Sequence, residues 1–242
     1  MLEGLYSAAS GMEAQQSQFD AISNDMANVD TPGYQSTIMG FHDLLYSNGN
    51  YGSNVPTGAG AEAEQMGRDQ TQGAIQQTGQ PLDVAVEGQG FIEVRRPDGT
   101  IGLTRNGAFQ LNDKRQLTTQ TGMLVQPPIT VPAGVDPSEV SIASNGTVSV
   151  GKQTLGKLSL VDVPAPDGLV ADGDSVFSAT PASGAIRAAK GASVQQGALE
   201  GSNVDMGAEM SKMMAAQQQY AMGSNAIQYE AQMISIANQI KP

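Results

Sequence analysis

Apolar residues near the start of the chain fall at Leu2, Leu5, Ala9, Met12, Phe19, Ile22 and Met26, close to an alternation of three and four. Near the end, Met206, Met213, Tyr220, Ile227 and Ile234 recur every seven residues, with Met210 and Ala231 on an alternate seam. A 3-4 repeat is the pattern of a coiled-coil face, and stripes this apolar need a partner. The spacing predicts one helix over 2–28 and another over 204–242, pairing as a coiled coil. Gln15, Gln16, Gln18, Gln217, Gln218 and Gln219 put uncharged amides where a solvated helix would carry Lys or Glu. Such faces accept close neighbours without trapping a lone charge, and a plain solvated face reads equally well.

Between the helices the period changes to two. Leu82, Val84 and Val86 alternate, and Phe91, Ile92 and Val94 run to Pro97-Asp98-Gly99 before Ile101 and Leu103 resume. Asn106-Gly107 marks a turn, and Val140 to Val150 around Asn145-Gly146 reads as a hairpin. Leu158 to Val163 gives a further strand. Phe41 to Tyr46 is a short apolar patch that suggests a helical turn, and residues 47–67 are polar and Gly-rich, as in an extended connector. The expected architecture is α+β. A helix and turn occupy 1–34, a connector 35–80, a mostly antiparallel β domain 81–185, a return connector 186–203, and a helix 204–242. Ser202-Asn203 are the cap candidates for that last helix. The plainer alternative, both helices packing on the β domain as ordinary core, fits poorly with helices of this length set off by Gly-rich connectors.

Composition narrows the function. The net charge of −12 argues against a nucleic-acid surface, and there is no Cys for disulfides or thiolate metal sites. Residues 1–67 contain no Lys or Arg, so the positive n-region of a cleaved signal peptide is not expected. No stretch reaches the length of a membrane span. His42 is the only histidine and has no ligand or catalytic partners near it in sequence. Asp167, Asp172 and Asp174 lack the spacing of a calcium loop and suit Asp-Gly turns better. Gly58-x-Gly60 and Gly88-x-Gly90 do not continue as nucleotide loops. No catalytic residue, metal site or cofactor is expected.

The segment Ser23-Asn24-Asp25-Met26-Ala27-Asn28-Val29-Asp30-Thr31-Pro32-Gly33-Tyr34 resembles the signature of the bacterial flagellar rod and hook family, a helix ending in Ala-Asn before Asn-Thr-Pro-Gly-Tyr. Asp30 stands in place of the usual Asn, and Gln35 in place of the usual Lys. Leu5 to Met12, Asp83 to Phe91, Thr104 to Phe109 and Gly201 to Asp205 are similar to this family as well, and Phe41 to Tyr46 resembles its distal rod branch. The resemblance implies a structural subunit whose terminal helices order on assembly into the inner tube of a hollow helical polymer that transmits torque. It implies partners in further copies of itself, other rod proteins, the hook protein, the flagellar export apparatus and the surrounding ring proteins. It implies a place in the basal body, reached by export without a cleaved signal. On this reading Leu2, Leu5, Met12, Phe19, Ile22, Met26, Met206, Met210, Met213, Tyr220, Ile227 and Ile234 form the assembly interface. Ala27, Asn28, Asp30, Thr31, Pro32, Gly33 and Tyr34 carry the signature, with Pro32-Gly33 as the centre of a type II turn. A secreted filament or adhesin-like binding module is the alternative, and a cell-wall enzyme would need a paired carboxylate cleft for which the scattered acids give no reason.

Overall fold

The computed structural model describes residues 2–44, 47–48, 56–57 and 60–240. Helix α1 runs Leu2–Ala27 and helix α2 runs Met206–Ile240, with a mostly antiparallel β region between them in the sequence, so the class is α+β. Among the described residues no helix is long and apolar enough to cross a membrane. The chain divides into two units. One comprises Met1–Ala27, Thr37–Met66 and Asp205–Pro242, and the other Asn28–Ser36 and Gly67–Val204.

In the helical unit, α2 is capped by Asp205, whose Oδ1 accepts the Gly207 and Ala208 N–H groups at 2.8 and 3.2 Å. Two of the four orphan donors of the first turn are satisfied this way, and the carboxylate meets the positive end of the helix. Ser202 and Asn203, the expected caps, are used elsewhere. Ser202 accepts the Val204 N–H, and Asn203 bonds residues of the β unit. The apolar patch at Phe41 is a strand and not a helical turn: Thr37–Asp43 pairs with Ala61–Arg68. A partner strand further along the chain overrides the local pattern, and part of the 47–67 stretch is strand for the same reason, with Ser47–Asn48 on Pro56–Thr57. Leu45, Tyr46, residues 49–55 and residues 58–59 lie outside the described residues.

In the β unit, Phe91–Arg95 is the centre of the largest sheet. Ile101–Thr104 pairs on one edge, and the other edge is shared by Leu124–Val125 and Leu160–Asp162. The Pro97-Asp98-Gly99 turn joins the first two strands, with Gly99 at φ +88°. The Asn145-Gly146 hairpin registers Val140 on Val150 and Ile142 on Val148, and a third strand, Gln153–Lys157, extends it. Ile92 and Val94 point into a core with Leu117, Ile129, Val148 and Leu158. Phe91 points the other way, into a second core with Leu103, Leu169 and Phe177, and stacks edge-on against Phe177 at 5.9 Å. Both faces of this strand are covered, which is why Phe91-Ile92 reads as a continuous apolar pair and not as an alternation. Val84–Glu87 behaves likewise: Val84, Ala85 and Val86 are all fully buried.

Gly107 is fixed by a close approach. Val84 donates its N–H to the Gly107 carbonyl at 3.0 Å, and a Cβ on Gly107 would stand 1.6 Å from the Val84 carbonyl oxygen. Gly99, by contrast, has nothing within 4 Å of where its Cβ would be. Gly107→Ala should therefore cost more than about 3 kcal/mol, because backbone must move. Gly99→Ala should cost about 1–2 kcal/mol, for the positive φ alone. Thermal or denaturant unfolding of the two variants measures both, and equal losses would contradict the close approach.

Candidate functional site

The helical unit pairs α1 and α2 antiparallel. A Cβ on Gly4 would stand 2.3 Å from Glu230 Oε1, and one on Gly223 would stand 2.9 Å from Met12 Cγ. Gln15, Gln16 and Phe19 of α1 line one recess with Ala216, Gln217 and Tyr220 of α2. Large groups on each helix thus face small ones on the other: Glu230 over Gly4, Met12 over Gly223, and Phe19 beside Ala216. Close helix approach at glycine and alanine fixes the register along the pair. On α2 the inward row is Glu209, Met213, Ala216, Gly223, Ile227, Glu230 and Ile234, all buried or half-buried. Tyr220 belongs to the same spacing but is exposed at the recess, and Met206 and Met210 are exposed as well. On α1, Ile22 is buried and Leu5, Met12, Phe19 and Met26 are half-buried. The side chain of Leu2 lies outside the described residues. Ala14 is also buried, and Asp25, likewise buried, accepts the Thr37 N–H and hydroxyl from the strand that follows. Glu209 is paired with Lys212 at 2.7 Å. His42 sits 3.7 Å from Glu62, both exposed.

A second row on α2 is apolar and uncovered: Met210, Met214, Met222, Tyr229, Met233 and Ile236. The heptad reading did not single out this row beyond Met210, nor the small residues Gly4, Ala216 and Gly223 of the inner seam. The signal for the seam was present as the seven-residue spacing of Glu209, Ala216, Gly223 and Glu230.

The signature turn belongs to the β unit. Tyr34 N–H donates to the Thr31 carbonyl at 3.2 Å, and Gly33 takes φ +66°, the positive value the third position of a type II turn requires. The Thr31 hydroxyl donates to Asn28 Oδ1 at 3.1 Å, and Asp30 is exposed. Gly33 N–H donates to the Glu200 carbonyl at 2.8 Å, and a Cβ there would stand 2.5 Å from the Asn106 nitrogen. Tyr34 is buried under Arg68, whose guanidinium lies 5.3 Å from the ring centroid and donates to the Tyr34 hydroxyl at 3.1 Å. Gln35 is also buried, and its amide donates to Gln70 Oε1 at 3.1 Å.

Beneath the turn lies an ion pair, Arg105 Nη1 to Glu200 Oε1 at 2.9 Å, with both side chains 3% exposed. Arg105 also donates to the Gly88 and Gly90 carbonyls and lies against the Phe91 ring. Glu200 Oε1 accepts the Gly73 N–H at 3.1 Å as well. Burial pushes the Glu200 carboxyl above its ordinary range, and the Arg105 charge and these hydrogen bonds pull it only partly back. Neither residue carries a sequence signal of this pairing.

Comparison with known proteins identifies three matched regions. Residues 5–35 match the family described as "Flagella basal body rod protein", residues 85–150 "Flagellar hook protein FlgE/F/G D1 domain", and residues 195–240 "Flagellar basal body rod FlgEFG protein C-terminal". The chain is 36% identical to the flagellar basal-body rod protein FlgG of Borreliella burgdorferi, over 100% of this chain and 99% of that protein. It is 35% identical to FlgG of Caulobacter vibrioides, over 99% and 100%. It is 30% identical to the flagellar basal-body rod protein FlgF of Escherichia coli, over 99% and 98%.

The raised Glu200 carboxyl gives a pH test. A folded-state value above the unfolded one means that this group's contribution to stability is full below the unfolded value and is lost as pH rises through the folded one. Glu200→Gln removes that loss. The variant should match the parent near pH 4 and be the more stable of the two near pH 8, in denaturant titrations across that range. If the Arg105 attraction outweighed desolvation, the variant would instead fall behind as the pH rose.

Proposed function

The chain belongs to the family of flagellar basal-body rod proteins, and from that premise we propose that it is a structural subunit of the rod, of the distal type, polymerising into a hollow helical shaft. The rod transmits torque to the hook, so the function is mechanical and serves motility. The family match does not favour a secreted adhesin-like module. The relatives are rod proteins by name, and that family-level inference carries no catalytic activity to this chain.

One observation supports the assembly reading above the others. α2 presents two apolar rows, and α1 covers only one of them. The middle of the uncovered row lies in a stretch without charge: no Asp, Glu, Lys or Arg occurs from Met213 to Tyr229. A solvated helix of this length normally carries charges on its outer face, and a large exposed apolar patch on a subunit marks an interaction surface. The helix pair acts as a coiled coil in this proposal, with the inner seam closed within the subunit and the outer methionine row closed by the next copy. A heterologous contact of this kind does not close on itself and propagates as an open filament. Hook protein, neighbouring rod proteins and ring proteins as contacts, and export through the flagellar apparatus without a cleaved signal, extend the same proposal.

The two rows are separable by substitution. Met222 is 63% and Met233 54% exposed, so Met222→Glu and Met233→Glu should leave subunit stability within about 0.5 kcal/mol of the parent. Both should nevertheless abolish incorporation into purified basal bodies, and motility with it. Ile227→Asp, on the inner seam, should also abolish incorporation, but by loosening the helix pair, because an unpaired charge in a buried seam costs several kcal/mol. Normal basal-body content of the Met222→Glu and Met233→Glu subunits would overturn the outer-row contact.

A further inference from the structure

Three stretches of chain meet in the β unit and are held largely by one another: the signature turn at 33–36, the segment 67–75, and the return segment 198–204. Gly33 N–H donates to the Glu200 carbonyl at 2.8 Å, and Asn203 N–H to the Tyr34 carbonyl at 3.3 Å. Asn203 Oδ1 accepts the Ser36 N–H at 2.8 Å, while its Nδ2 donates to the carbonyls of Asp69 at 2.8 Å and Thr71 at 3.1 Å. One amide side chain therefore bonds both other stretches. Asp69 N–H returns to the Ser36 carbonyl at 2.9 Å, and Arg68 Nη1 donates to the Gln35 carbonyl at 2.8 Å. Glu200 does the same from its own position, through its carbonyl to Gly33 and its carboxylate to Gly73 N–H at 3.1 Å. Gly201 N–H closes on the Ala74 carbonyl at 2.8 Å.

We propose that Asn203 and Glu200 are positioning residues that make the seating of the signature turn and of the return segment mutually dependent. The turn leads out of α1 and the return segment leads into α2, so the two helix attachments order as one event. Each stretch supplies partners that the other two need, and a buried donor or acceptor left without its partner is costly. Releasing one stretch therefore lowers the cost of releasing the others. Gly33 adds an all-or-none character, since its positive φ and its contact with the Asn106 nitrogen leave one way for the turn to sit. Coupling of this kind is reciprocal. It is a property of the single chain and does not depend on polymerisation, so its failure would leave the rod proposal standing.

Amide hydrogen exchange on the full-length monomer tests it. Gly33→Ala should raise exchange at the Gly201 and Asn203 amides at least tenfold, and Asn203→Ala should do the same at the Gly33 and Tyr34 amides. Asn203→Asp discriminates further. It keeps an acceptor for Ser36 and sets a carboxylate oxygen against the carbonyls of residues 69 and 71 in place of the donating amide, and mutual dependence requires that Gly33 exchange rise as well. Protection in the Val140–Ile142 and Thr147–Val150 hairpin should stay unchanged in all three variants. Changes confined to the substituted stretch, or spread equally into that hairpin, would overturn the proposal.

Discussion

The β unit is organised around a place where no side chain fits. At Gly33 the chain touches the backbone of Arg105 and Asn106, with no space for even a Cβ, and takes a φ that other residues resist. Backbone against backbone is the closest approach two segments can make, and it brings the Gly33 N–H within hydrogen-bond distance of the Glu200 carbonyl. Residues 33, 105 and 200 are far apart in sequence and adjacent in space. Once they touch, the loop at 105–107, the strand at 84–87 and the return strand at 198–200 have their positions set in turn, since Gly107 bonds Val84 and Gly197 N–H bonds the Asp83 carbonyl at 2.8 Å.

The ion pair beneath this contact is better understood as a source of uniqueness than of stability. Burying a carboxylate and a guanidinium costs several kcal/mol per ion, and a buried pair often only breaks even. The raised Glu200 carboxyl is the sign of that cost. Arg105 gains in definition, because its planar fork reaches Gly88, Gly90 and Glu200 at once, which a lysine ammonium could not match in geometry. A leucine in place of Glu200 could fill space, but it could not tell a seated return strand from a slipped one.

Much of this was legible in the sequence wherever the information is local. The two long helices follow from heptad spacing, and the hairpins at Gly99 and Gly146 follow from turn residues between apolar runs. The turn at Pro32-Gly33 follows from the φ each residue permits. What was not legible depends on partners distant in the chain. Arg105 and Glu200 stand 95 positions apart and leave no periodic trace. Phe41 reads as helix locally and becomes strand because Ala61–Arg68 is available to pair with it. Gly4 and Gly223 look like interruptions of their helices, whereas in the pair they are the holes that receive Glu230 and Met12. The apolar stripe of α2 was visible, but a stripe alone does not reveal that the helix has a second apolar row outside the seam.

Charge explains why that outer row should be rich in methionine and free of ions. The helical unit carries ten acidic residues against two lysines, Lys212 and Lys241, and Lys212 is already paired with Glu209. Copies of so acidic a unit repel one another over roughly 8 Å at physiological ionic strength. In the proposed contact between copies, the outward-facing side chains from Met214 to Tyr229 bring no charge of their own. Its apolar burial has to exceed the residual repulsion, which the row from Met210 to Ile236 can supply at about 1.5–3 kcal/mol per large side chain fully covered. Methionine suits the task better than leucine. Its unbranched, polarizable chain adapts to the shape of the surface it packs against.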